Sequence, residues 1–257
     1  MKQQEIAVQA ICESLKKDPH VEAVFLKGSM GRGEHDEHSD IDMYCMVKQG
    51  EEAGFLDRRL DHLRVYQEVI FTDDIYIVAP QLIAVFDNLL HIDLFTVTRE
   101  SFPGHDHFTV LYDPHAIMKE FVDTQGLALT KEEYRDDVMD IAWFLFQYRK
   151  SAARGNDIWS VRMLTNVVHH LARALLHRYA PERAQLGLKT VSESLPEEST
   201  RDILLIHEKI TPSRHEEAAH LISGLLDREY EWIQEQLKEE TQTLDFLQRM
   251  IELHAAV

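Results

Sequence analysis

The sequence predicts an α+β protein in two parts: a mixed sheet with helices to about residue 125, and an all-α helical bundle over residues 130–257. Two observations carry this expectation. Before Asp113, short apolar runs of strand length alternate with turn residues and a few helical stretches. From Lys131 onward, apolar residues recur only at helical spacing, with helix-start signals between the runs. Residues Gly126 to Thr130 read as the linker between domains 1–125 and 130–257.

The elements follow in order. Gln3 to Lys17 places Ile6, Ala7, Ala10, Ile11 and Leu15 at helical spacing. Asp18-Pro19 ends that helix, because a residue before proline disfavours helical backbone. The apolar run Val21 to Leu26 has the length of a core strand, and Asp42 to Val47 is a second strand, broken by Gln49-Gly50. Phe55, Leu56, Leu60 and Leu63 then recur around charged neighbours as an amphipathic crossover helix. Val69 to Phe71 and Ile75 to Ala79 are two further candidate strands. Leu82 to Phe86 and Leu90 to Val97 flank Asp87-Asn88, a turn signal, so they read as a β-hairpin. Phe108 to Tyr112 is a last strand, and Ala116 to Val122 looks helical.

In the second part, Thr130-x-x-Glu133 is a capping box, followed by an apolar face of Val138, Ile141, Ala142, Leu145 and Phe146. Arg154-Gly155-Asn156-Asp157 ends this helix and starts the next. Ser194-x-x-Glu197 and Ser213-x-x-Glu216 are read as the caps of a third and a fourth helix. Short loops and frequent caps predict a bundle of four or five helices.

Charge and composition narrow the function. The net charge is −18, from 45 acidic and 27 basic residues, which repels nucleic acid and attracts cations. The two cysteines, Cys12 and Cys45, are too few for a disulfide framework. The N-terminus lacks the apolar core of a leader peptide and no run has membrane-spanning length, so the expected location is the cytoplasm, with no membrane partner.

The chemistry concentrates in residues 25–43, Phe-Leu-Lys-Gly-Ser-Met-Gly-Arg-Gly-Glu-His-Asp-Glu-His-Ser-Asp-Ile-Asp-Met. An apolar strand runs into Gly28-Ser29, where backbone N–H groups can approach an anion. Asp40 and Asp42 are two apart on an extended segment and share a face. Paired carboxylates repel unless a cation lies between them, which points to Mg²⁺ facing a phosphate-binding turn. Asp93 is an acid inside an otherwise apolar strand, and a buried carboxylate needs a partner. On the same strand His91, Asp93, Phe95 and Val97 share one side. His35-x-x-His38 has no third ligand at matching spacing and reads as polar loop, as do His105, Asp106 and His107.

This pattern resembles the signature of the DNA polymerase β-like nucleotidyltransferase superfamily. The form Gly28-Ser29-x-x-Arg32-Gly33 with Ser39-Asp40-Ile41-Asp42 is most similar to the bacterial aminoglycoside and lincosamide nucleotidyltransferases. Gly31 stands where those usually carry alanine. The resemblance is sharp over residues 25–43 and 90–96 and only architectural beyond. It implies transfer of a nucleoside monophosphate, most simply AMP from ATP, to a hydroxyl of a small, cationic acceptor such as an aminoglycoside-like antibiotic. Asp40, Asp42 and Asp93 are then expected to be catalytic and to hold two Mg²⁺ ions. Gly28, Ser29, Arg32, Ser39 and Lys150 are expected to bind the nucleotide. Glu133, Asp137 and Asp140 on the first bundle helix are candidates for a general base. Two other readings compete: a nucleotidyltransferase that modifies another protein, as antitoxin-like members do, and a catalytically silent nucleotide-binding module.

Overall fold

The structure, a computed structural model, describes residues 2–102 and 106–255. The chain divides into two compact units, Met1–Gly126 and Leu127–Val257. The first is built on a mixed sheet and the second is helical throughout, so the α+β expectation holds.

The first unit opens with α1 (Gln3–Leu15), β1 (Val21–Leu26), a one-turn α2 (Gly28–Arg32) and β2 (Ile41–Val47). Two short helices follow, α3 (Glu52–Leu56) and α4 (Arg59–Leu63), then β3 (Val69–Tyr76), β4 (Pro80–Phe86), β5 (His91–Val97) and β6 (Thr109–Tyr112). The sheet order is β3-β4-β5-β2-β1-β6. Only the central pair β2–β5 is parallel; the other pairs are antiparallel. Its register sets Asp42 opposite Asp93 and Tyr44 opposite Phe95.

Alternation along the strands sorts side chains onto two faces. On one face Val24, Leu26, Ile41, Met43, Cys45, Ile92 and Leu94 pack with Ala7, Ile11 and Leu15 of α1. On the other, Phe25, Tyr44 and Phe95 stack ring on ring across three strands, with centroids 5.4 and 4.3 Å apart. Phe102 covers the row edge-on at 5.2 Å from Phe25. Cys12 and Cys45 are buried free thiols.

Several local expectations are corrected. The glycine turn after β1 closes as a helical turn, ended by Gly33 in left-handed conformation with φ +74°. The single crossover helix is two short ones, joined by a turn at Asp57 and Arg58 whose backbone stays in the right-handed region. The expected strands Val69 to Phe71 and Ile75 to Ala79 give way to one strand, β3, which runs through the first and ends at Tyr76; it lies at the sheet edge with most residues exposed and so lacks a two-residue apolar rhythm. Residues Ile117–Thr124 form a 3₁₀ helix.

The second unit contains α5 (Lys131–Ala152), α6 (Asp157–Tyr179), α7 (Val191–Ser194), α8 (Glu197–Lys209), α9 (His215–Gln236) and α10 (Thr241–Ala255). A 3₁₀ segment, Pro181–Thr190, precedes α7 and has no signal in the sequence reading. The Thr130–Glu133 capping box forms as expected, with Thr130 Oγ1 accepting from Glu133 N at 3.1 Å and Thr130 N donating back at 2.8 Å. The two serine caps do not form: Pro196 and Arg214 stand at the N-caps of α8 and α9. The core draws Val138, Leu145, Leu164, Leu171, Ile203, Ile222 and Leu247 from five helices. Among the described residues no helix is long and apolar enough to cross a membrane.

Candidate active site

The carboxylates gather where β2 and β5 begin. Asp42 and Asp93 are register partners on adjacent parallel strands, so their side chains leave the same face of the sheet. Asp93 is largely buried, its side chain 14% exposed, whereas Asp40 just ahead of β2 is 49% exposed. The structure draws in a residue the sequence reading did not assign, His91. Its Nε2 lies 3.0 Å from Asp93 Oδ1 and its Nδ1 3.8 Å from Asp40 Oδ2. One ligand atom from each of Asp40, His91 and Asp93 lies within 4.8 Å of the others. The hydrogen bond to Asp93 raises the His91 pKa, and the charges of Asp93, Asp40 and Asp42 add to it. The His91 ring therefore sits between two carboxylates, Asp93 and Asp40. The signal was present in the sequence, since His91 is two residues before Asp93 on the same side of the strand.

Asp42 takes a different position from the expected triple. Its carboxylate lies over Gly28, where a built Cβ would come within 1.9 Å of Asp42 Oδ2. Gly28 also has φ +59°, backbone that residues with a Cβ avoid. Glycine is thus required twice, by conformation and by the close approach of an acid. Gly31 has its own reason: a Cβ there would sit 2.6 Å from the Leu26 carbonyl oxygen. An alanine does not fit this turn.

The loop that delivers Asp40 is held from α1. Gln4, 2% exposed, donates its Nε2 to the carbonyls of Asp36, Glu37 and Ser39 at 3.0 to 3.1 Å. Ser39 Oγ bonds the Asp36 carboxylate at 3.0 Å and accepts from Asp36 N at 3.0 Å, so this side chain closes its own loop.

Around the turn the charges change sign. Lys27, at the end of β1, is 4% exposed and its Nζ lies over the rings of Phe102 and Tyr44, 4.6 and 5.2 Å from their centroids. Burial pushes its pKa down to about 8, with Asp106 pulling the other way. Burial, with Asp42, Asp106 and Asp93 nearby, raises the pKa of the Tyr44 hydroxyl. Arg32, 12% exposed, donates Nε to Glu34 at 2.9 Å and Nη1 to both oxygens of Asp106, at 3.1 and 2.9 Å. Asp106 is therefore part of the site and not a solvated loop residue; His107 N also donates to it, at 2.7 Å. Its sequence separation of 78 from Gly28 left no local signal. His105 lies outside the described residues.

The second unit accounts for other expectations. Glu133 is engaged in its capping box. Asp137, 4% exposed, accepts from Arg173 Nε at 3.0 and 2.8 Å and lies 2.8 Å from His170 Nδ1. That pairing anchors α5 to α6. Asp140 remains partly exposed, 3.5 Å from His170 Nε2. Lys150 belongs to this unit, with its ammonium over the Phe146 ring at 5.2 Å.

Residues 9–85 match the family model described as Polymerase beta, Nucleotidyltransferase. This segment holds the Gly-Ser turn and both acids of Asp40-Ile41-Asp42, and over it the resemblance to the nucleotidyltransferase superfamily is borne out. No curated protein matches the chain. Among solved structures, an aminoglycoside 6-adenyltransferase from Bacillus subtilis aligns at 11% identity with TM-score 0.41, over 100% of both chains. A nucleotidyltransferase-like protein from Exiguobacterium sibiricum aligns at 13% identity and TM-score 0.41, over 93% of this chain and 80% of its own. A spectinomycin adenyltransferase from Enterococcus faecialis, crystallised with ATP and spectinomycin, aligns at 12% identity and TM-score 0.37, over 97% and 98%.

Proposed function

We propose that this chain, with the polymerase β nucleotidyltransferase match over residues 9–85, transfers a nucleoside monophosphate from a nucleoside triphosphate to a hydroxyl group. The observation that carries the reading is the adjacency of Asp40, Asp42 and Asp93, where the central strands β2 and β5 begin, to the turn of Lys27, Gly28 and Arg32 at the end of β1. Carboxylate oxygens are hard ligands that suit Mg²⁺, and the His91 ring lies between two of these acids. Asp40, Asp42 and Asp93 are the residues that would hold two Mg²⁺ ions. When bound, such ions stabilise charge at the reacting phosphate and favour ionisation of the attacking hydroxyl.

The remaining work falls to the chain itself. Gly28 N–H and Ser29 face the phosphates, and Arg32 supplies positive charge. Gln4 and Ser39 hold the loop so that Asp40 keeps its position. The acceptor oxygen forms a bond to the α-phosphorus, the bridging P–O bond breaks, and pyrophosphate leaves with that electron pair. The hydroxyl proton needs a base. Glu133 and Asp137 are committed to other bonds, and within the first unit the candidate is Asp93, with His91 bonded to it. Residues 1–125 and 130–257 are read as two domains, the first carrying the nucleotide chemistry.

The donor is read as ATP and the acceptor as a small hydroxylated cation, an aminoglycoside-like antibiotic being the leading case. Its support is the motif over residues 28–42 and the net charge of −18, which draws cations and repels polynucleotides. The test is mass spectrometry after incubation with ATP, Mg²⁺ and a panel of aminoglycosides and lincosamides. A panel member gaining one AMP supports the reading. Labelling of a protein in lysate without any small-molecule product transfers the case to a protein acceptor. No product of either kind, with ATP bound, makes the chain a silent nucleotide-binding module.

A further inference from the structure

We propose that Asp106 is an internal anion that occupies a phosphate subsite formed by Lys27, Gly28 and Arg32, and that the incoming phosphate displaces it. The inference rests on the preceding section only in taking the ligand to be a polyphosphate. Asp106 Oδ2 accepts from Gly28 N at 3.3 Å and both its oxygens accept from Arg32 Nη1. The buried Lys27 ammonium lies within electrostatic reach of the same carboxylate. A backbone N–H and a guanidinium meeting on one anion, with a buried ammonium nearby, is a donor set that proteins use for phosphate.

Three features mark the carboxylate as a displaceable occupant. Asp106 is held at φ +62°, in left-handed backbone that costs a residue with a Cβ about 1 kcal/mol or more. Its bond to Gly28 N is long, at 3.3 Å, and its side chain stays 22% exposed, open to exchange. Arg32 is clamped a second time, by Glu34 at 2.9 Å, and so keeps its place when Asp106 leaves. Departure without replacement would remove one counter-charge from Lys27 and Arg32, so the step is an exchange of anion for anion. Inorganic tripolyphosphate presents the same terminal phosphates as a nucleotide and needs no transfer chemistry, which separates this claim from the proposed function.

The experiment is calorimetric titration of inorganic tripolyphosphate into the wild-type chain, Asp106→Asn, and Asp106→Asn combined with Lys27→Met. Asp106→Asn is expected to bind about tenfold more tightly than wild type, and addition of Lys27→Met to reverse that gain. Equal or weaker binding by a folded Asp106→Asn would overturn the proposal and make Asp106 a support for Arg32. Should the variants fail to fold, the Gly28 N–H resonance of the wild-type chain, whose hydrogen bond Asp106 accepts, decides: a shift at tripolyphosphate saturation supports exchange, and an unmoved resonance overturns it. Loss of nucleotidyl transfer with the exchange intact would count against the function and leave the subsite standing.

Discussion

Gly28 shows how much one residue can fix. Its positive φ turns the chain out of β1, and its missing Cβ leaves room for the Asp42 carboxylate 1.9 Å from where that carbon would be. Substitution Gly28→Ala forces the chain to pay a conformational penalty of about 1 kcal/mol and to move Asp42 aside. The clashing atom is the end of a side chain, so the fold is expected to survive and the grouping of Asp40, Asp42 and Asp93 to be spoiled. A thermal melt lowered by only a few degrees, together with strongly weakened Mg²⁺-dependent nucleotide binding, is the expected pair of results. Unchanged binding would show that Asp42 does not need its place over the turn. Asp93 was legible as an acid in an apolar strand, and His91 was legible by alternation once Asp93 was singled out. Lys27 and Asp106 were not, because a buried ammonium and an acid 78 residues from Gly28 acquire meaning only when the sheet brings them together.

The elements whose apolar rhythm faces a core were legible. Examples are β1, with its bounds read correctly from Val21 to Leu26, the hairpin arms β4 and β5, and the long helices α5 and α6. Elements shaped by tertiary contacts were not. The serine caps expected for α8 and α9 failed, because local signals of that kind compete with the path the loop must take between packed helices. At the interface of α5 and α6, Asp137 changed from a candidate base into the buried anchor of Arg173 and His170. Asp137→Ala removes one partner of a buried charge pair and is expected to cost about 3 kcal/mol of stability. Denaturant titration checks this. A stable variant with a large loss of turnover would return Asp137 to catalysis.

For the whole molecule, the decisive quantity is charge. A chain of net charge −18 repels a nucleoside triphosphate at long range, with the repulsion screened over about 8 Å at physiological salt. Lys27 and Arg32 provide two local cations, and Asp106 already answers both. The acids of β2 and β5 add further negative charge beside the turn, so the proposed function predicts that triphosphate binding requires a divalent metal to reverse the local sign. On the proposed function, the same surplus of acids favours a cationic acceptor. The most direct measurement is calorimetric titration of ATP into the chain with and without Mg²⁺, repeated with Asp42→Asn and Asp93→Asn. Binding that requires Mg²⁺ and is lost in both variants is the predicted result; ATP bound equally well without metal, or by both variants, would contradict it.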